Sequence, residues 1–243
     1  MSNAWFNPHG DEPHIRIGDE PWPVRIVHHA QSRRYRLVVD AARGQLRLTV
    51  PRRANVRAAL KWAGEQQAWL VEQVGKAALP VVVSPGATSP FLGTHRRIDW
   101  VAGAPRTVTV DPQALRVGGP AETLGRRIER WLKAQALDLL ERESRDIAAR
   151  AGLVVGRVGV GDPRSRWGSC THDGDLRYSW RLVMAPDHVR RATVAHEVAH
   201  LRHMDHGPEF HALVERLHDG DVAAARGWLR REGRGLHRYR FTS

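Results

Sequence analysis

Two histidines four residues apart, with a glutamate directly after the first, form the segment of this chain best suited to chemistry: His196-Glu197-Val198-Ala199-His200. On a helix, residues four apart lie one above the other on the same face. Two imidazoles so placed can bind one divalent ion without backbone distortion. Zn²⁺ accepts neutral imidazole nitrogen, and a catalytic zinc site takes three protein ligands and leaves one position for water. The metal lowers that water's pKa toward about 7, so a hydroxide-like nucleophile exists at neutral pH. Glu197 lies about 100° round the helix from His196. A general base belongs there if it is to take the water's proton without itself being a ligand.

The third ligand must come from the chain that follows, where His203, His206, His211 and Glu215 qualify by type. His206 is six residues past His200, and Met204-Asp205-His206-Gly207-Pro208 holds the turn residues for a reversal. His203 shares the helix face, but an unbroken helix would carry its ring one turn beyond the ion. His211 and Glu215 fall on a next helix that Pro208 could start. Spacing ranks His206 first and leaves His211 and Glu215 open.

The motif needs a helix, and Pro186 suits the first turn of one running through the 190s to about His203. Before it, the runs Arg166–Cys170 and Leu176–Trp180 flank Asp173-Gly174, a hairpin signal. Val158 and Val160 alternate as a short strand. Leu124, Ile128, Trp131, Leu132, Ala136 and Leu139 make the stripe of a long helix over 123–151, closed by Gly152. Gly118-Gly119-Pro120 reads as a linker. Upstream, Ile98, Trp100, Val108, Val110, Leu115 and Val117 suggest a β meander. Val56, Leu60, Ala63, Leu70 and Val74 recur at helical spacing after a cap at Asn55. Tyr35, Leu37 and Val39, then Leu46, Leu48 and Val50, alternate as a hairpin turning at Arg43-Gly44. The expected organisation is a flexible arm over 1–24, a β-rich subdomain over 25–119, and a catalytic domain over 120–243 ending in a basic helix and tail.

Composition narrows the classes. The 243 residues carry 38 Lys+Arg against 26 Asp+Glu, for a formal charge of +12, with 42% hydrophobic residues, which is ordinary for a globular protein. Lys occurs only at Lys61, Lys76 and Lys133, so nearly all of the positive charge is Arg. One cysteine, Cys170, makes neither an internal disulfide nor a cysteine-based metal cluster. The longest apolar runs reach about seven residues against the ~20 of a membrane span, and no signal-peptide pattern opens the chain. A cytoplasmic location without membrane association is expected; the oligomeric state is open.

Several motifs in order carry a resemblance: Arg164-Ser165-Arg166-Trp167-Gly168-Ser169-Cys170, Ser179-Trp180-Arg181-Leu182, Ala185-Pro186, His196 to Leu201, and Asp205-His206-Gly207-Pro208-Glu209-Phe210. Over about residues 25 to 217, and most strongly over 164 to 210, the chain resembles the YgjP-like metal-dependent hydrolases, grouped with zinc metallopeptidases and similar to SprT-type proteases. The resemblance implies an α+β fold with a zincin-like metallopeptidase core, its active-site helix packed on a small β-sheet. It implies one zinc ion per chain, His196, His200 and His206 as ligands, and Glu197 as catalytic acid/base. Asp205, Gly207 and His211 depart from the usual family residues; none removes a ligand.

Substrate contacts follow less directly. An edge strand beside the active-site helix can pair with an extended peptide, so Arg166 and Ser169 are candidates to line the cleft. Tyr178, Arg181 and His203 are candidates to stabilise an oxyanion. Trp167, Gly168 and Trp180 read as packing, and Cys170 as a small buried residue. A peptide or protein substrate is the first expectation. The second is a nucleotide or phosphoanhydride, because Arg164, Arg166, Arg181, Arg190 and Arg191 surround the motif and arginine pairs bidentately with phosphate. The third is a DNA-associated protease, its basic surface, Arg226 to Arg240 included, meeting nucleic acid.

Overall fold

In the computed structural model, which describes residues 13–18, 20–40, 43–76 and 80–241, the chain divides between Pro80 and Val81 into two units. Both mix α and β structure. Among the described residues no helix is long and apolar enough to cross a membrane.

The first unit holds β1 (His14–Ile17), β2 (Glu20–His29), β3 (Arg36–Asp40), β4 (Gln45–Pro51), α1 (Val56–Glu65) and α2 (Gln67–Lys76). The sheet order is β1-β2-β4-β3, with β2 parallel to β4. The expected hairpin is present as β3–β4, with Leu37 opposite Leu48 and Val39 opposite Leu46. Strand structure begins inside the stretch expected as an arm, because Ile15, Ile17 and Val24 alternate into the core; residues 1–12 lie outside the described residues. Asn55 caps α1 as expected, its side chain accepting from Arg57 and Ala58. The single helix expected over 56–74 is two helices. The Gln66 and Gln67 side-chain amides donate to the carbonyls of Trp62 and Gly64, which a continuing helix would have paired with backbone N–H groups.

The second unit holds β5 (Val81–Val82), β6 (Thr88–Phe91), β7 (Thr94–Val101), β8 (Thr109–Val110), β9 (Ala114–Gly118), α3 (Leu124–Arg150), β10 (Val158–Gly161), β11 (Gly168–Cys170), β12 (Leu176–Ser179), α4 (Asp187–Ala199), α5 (Pro208–Leu217), α6 (Val222–Arg231), α7 (Gly233–Leu236) and β13 (Tyr239–Arg240). Its sheets are β6-β7-β9-β8, β10-β12-β11 and the parallel pair β13-β5. The expected meander therefore belongs to this unit, and no division falls at 119/120. Gly118-Gly119-Pro120 is not a linker. A Cβ on Gly118 would lie 1.9 Å from the Ala104 carbonyl oxygen, and the Trp100 indole donates to the Gly119 carbonyl at 2.8 Å. The glycines serve close packing there.

One core unites these sheets with α3 to α6. Gly152 closes α3 at φ +63°, with Leu153 N–H bonded to the Ala148 carbonyl and Gly152 N–H to that of Ala149. Helix α4 packs on α3, α5, α6 and β11. Its fixed point on α3 is ionic: the Arg190 guanidinium, 3% exposed, donates to both Glu143 oxygens at 2.9 Å and to Asp187 at 2.8 Å. Breaking such a pair leaves a buried charge uncompensated. Glu143→Ala should cost about 3–5 kcal/mol of stability. A shift of the urea midpoint at unchanged slope checks this, with a slope change reporting a different unfolded state.

Candidate metal centre and cleft

Helix α4 stops where the chemistry needs it to. His200 is its C-cap, and Leu201, Arg202 and His203 turn back through N–H bonds to Val198 and Ala199. This is earlier than the expected end near His203, and the turn frees the His203 carbonyl to accept from His200 Nδ1 at 3.0 Å. A carbonyl can only accept, so the proton is on Nδ1 and Nε2 is left as the donor atom for a metal. Pro208 then starts α5 as expected.

The reversal carries His206 onto His196 and His200. One ligand atom from each lies within 4.8 Å of the others, the one such cluster of three among the described residues. His206 Nε2 is 3.4 Å from His196 Nε2; ligands about 2.0–2.1 Å from one tetrahedral ion would stand ~3.4 Å apart. Phe210, fully buried on α5, packs against all three rings at 4.9, 4.5 and 4.8 Å between centroids. Burial, then the neighbouring His200, His206 and Arg226, lowers the His196 pKa to about 4, and burial lowers that of His200. Three imidazoles whose ligand atoms converge in this way are a donor set suited to a divalent ion. Of the alternatives weighed for the third ligand, His203 contributes its carbonyl instead, while His211 and Glu215 are exposed and outside the cluster.

Glu197 is 5% exposed and faces β11. A Cβ on Gly168 would come within 2.5 Å of its Cγ and Oε1, so only glycine leaves room for this carboxylate. Burial raises the Glu197 pKa to about 7, with Arg166 opposing the shift. Cys170, two residues along β11, has its thiol pushed up to about 11 by burial and by Glu197 and Asp175, which favours the protonated form, and it lies outside the three-histidine cluster.

A cleft of about 270 Å³ opens beside His196 and Glu197, with Arg166, Trp167 and Gly168 on its wall. Arg166 is therefore where a substrate contact was expected. Ser169 is not: alternation along β11 turns it away from the face shared by Gly168 and Cys170. Tyr178 is fully buried and bonded to Ser144 Oγ at 2.9 Å. Arg181 is buried, donating to Asp162 at 2.7 and 3.2 Å and to the Leu236 carbonyl at 2.7 Å while lying over the Trp180 ring. Both hold the interior together and face no substrate. Sequence reasoning named Phe210 only within a motif and Arg226 only within the basic C-terminal tract, and placed neither at the site. Arg226 had a readable signal: Val222, Ala225 and Leu229 form a helical stripe, and position 226 falls on the same face.

Two variants probe this construction. Gly168→Ala must displace the Glu197 side chain within a packed site and should destabilise by about 1–3 kcal/mol; a thermal midpoint equal to wild type would contradict the contact. The second concerns His237, whose ring packs on Trp167 at 5.6 Å. Burial, Arg181 and Arg164 hold its pKa down to about 4 against Asp162. Unfolded, it binds a proton near pH 6.5, so the unfolded state takes up more protons between about 4 and 6.5 and stability falls on acidification through that window. His237→Gln should flatten this part of the stability–pH curve; an unchanged slope would show that His237 does not carry it.

Comparison with known proteins returns one family. Residues 33–232 match the YgjP-like, metallopeptidase domain, while no curated protein and no solved structure matches the chain. The matched stretch covers the site and parts of both units, and it makes this chain a member of the YgjP-like metallopeptidase family, metal-dependent peptidases in general.

Proposed function

We propose that the protein is a zinc-dependent peptidase with a zincin-like core, in which His196, His200 and His206 would hold one zinc ion per chain and Glu197 is the catalytic acid/base. The observation that carries this reading is the meeting of three imidazoles beside a buried carboxylate at the wall of a cleft. A zinc ion so held supplies Lewis acidity toward the peptide carbonyl and the attacking water. Glu197 takes the proton from that water and returns it to the leaving nitrogen. Its buried setting puts its proton affinity close to neutral, where a group that must both accept and give a proton works best. Gly168 fixes where the carboxylate sits, and the His203 carbonyl fixes which nitrogen His200 presents. Arg166, exposed in the cleft, would contact the substrate.

The phosphate reading loses most of its basis. Of its five arginines, Arg181, Arg190 and Arg191 already face carboxylates of this chain. Nothing in the structure favours nucleic acid over peptide. A chain with one cysteine forms no internal disulfide, which suits a reducing compartment, and we place the protein in the cytoplasm.

Glu197→Gln keeps the side chain's shape and removes its basicity. It should lower peptide hydrolysis by about 10²–10⁴-fold while zinc content, read by atomic emission, stays at the wild-type value. Hydrolysis undiminished in the zinc-loaded variant would remove Glu197 from the role.

A further inference from the structure

The cleft is built for a particular substrate. Its inner wall is apolar, from Val189 and Ala192 on α4, Val214 on α5, and Val222, Ala225 and Leu229 on α6. The charge around it is unbalanced. Arg166 faces Glu197, but Arg226 faces His196, and among the described residues no carboxylate pairs with it. A guanidinium beside a cation site opposes cation binding, a cost that an anion entering with the substrate would offset. It sits on the helix face that lines the cleft, although the other residues of that face are apolar and two of α6's three arginines, Arg230 and Arg231, lie elsewhere. Arginine is also the side chain with the fork that carboxylates match.

We propose that the site takes peptides presenting an apolar side chain to the α4–α6 wall and a carboxylate to Arg226. The proposal rests on the peptidase reading for its location but concerns binding. The carboxylate comes from a peptide C-terminus or from an Asp or Glu side chain, and the two sources are separable.

The test is peptide binding by zinc-loaded Glu197→Gln protein, which needs no turnover. The panel pairs a free C-terminal acid with its amide, Glu with Gln beside the anchor residue, and Leu with Ser at the anchor. The acid member of one of the first two pairs should bind about tenfold or more tightly than its neutral partner, the scale of a charged hydrogen bond; which pair discriminates identifies the source. Arg226→Gln should abolish that discrimination and Arg226→Lys should restore part of it. Leu should bind more tightly than Ser in every background. Equal binding across both acid pairs, discrimination that survives Arg226→Gln, or no peptide binding at all overturns the proposal. Wild-type protein that binds with this selectivity yet cleaves nothing would overturn the peptidase reading alone.

Discussion

Termination of α4 at His200 is the constraint on which the site depends. Had the helix run on, His206 would have been carried away from the other two rings. The turn instead satisfies itself through N–H bonds to Val198 and Ala199 and aims the His203 carbonyl at His200. The same reversal sets Pro208 at the head of α5, and α5 in turn brings Phe210 under all three imidazoles. A packed aromatic floor restricts ring motion, so the donor atoms are ordered before any ion arrives, which is what a tight site requires.

The rest of the second unit fixes that turn in space. Helix α4 is held to α3 by the Arg190–Glu143 pair and lies against β11 at Gly168. The missing side chain at Gly168 and the buried carboxylate of Glu197 are one feature seen from two elements. The short sheet β10-β12-β11 thus decides where the Glu197 carboxylate can stand, and α6 closes the cleft with an apolar face that carries Arg226.

Much of this was legible from spacing. The His196–His200 interval, the Pro208 helix start, the β3–β4 hairpin and the closure of α3 by Gly152 depend on local rules, and each is present. What sequence could not give was packing. Gly118-Gly119-Pro120 has the composition of a linker, yet a neighbouring backbone fills the space beside Gly118. Tyr178 and Arg181 have types suited to an oxyanion, but Tyr178 is bonded to Ser144, 34 residues away, and Arg181 to the Leu236 carbonyl, 55 residues away. Ile15 and Ile17 alternate as a strand should, but Pro and His around them hid the pattern. The surplus of arginine concealed a distinction that only partners reveal, between Arg190, locked in the interior, and Arg226, open to the cleft.

X-ray absorption at the zinc edge addresses the central claim most directly. Protein loaded with zinc should give one ion per chain and a first coordination sphere containing three imidazole nitrogens at about 2.0–2.1 Å. A substoichiometric ion, a sphere of oxygen alone, or a spectrum unchanged by His206→Ala would contradict the convergence from which the whole account is built.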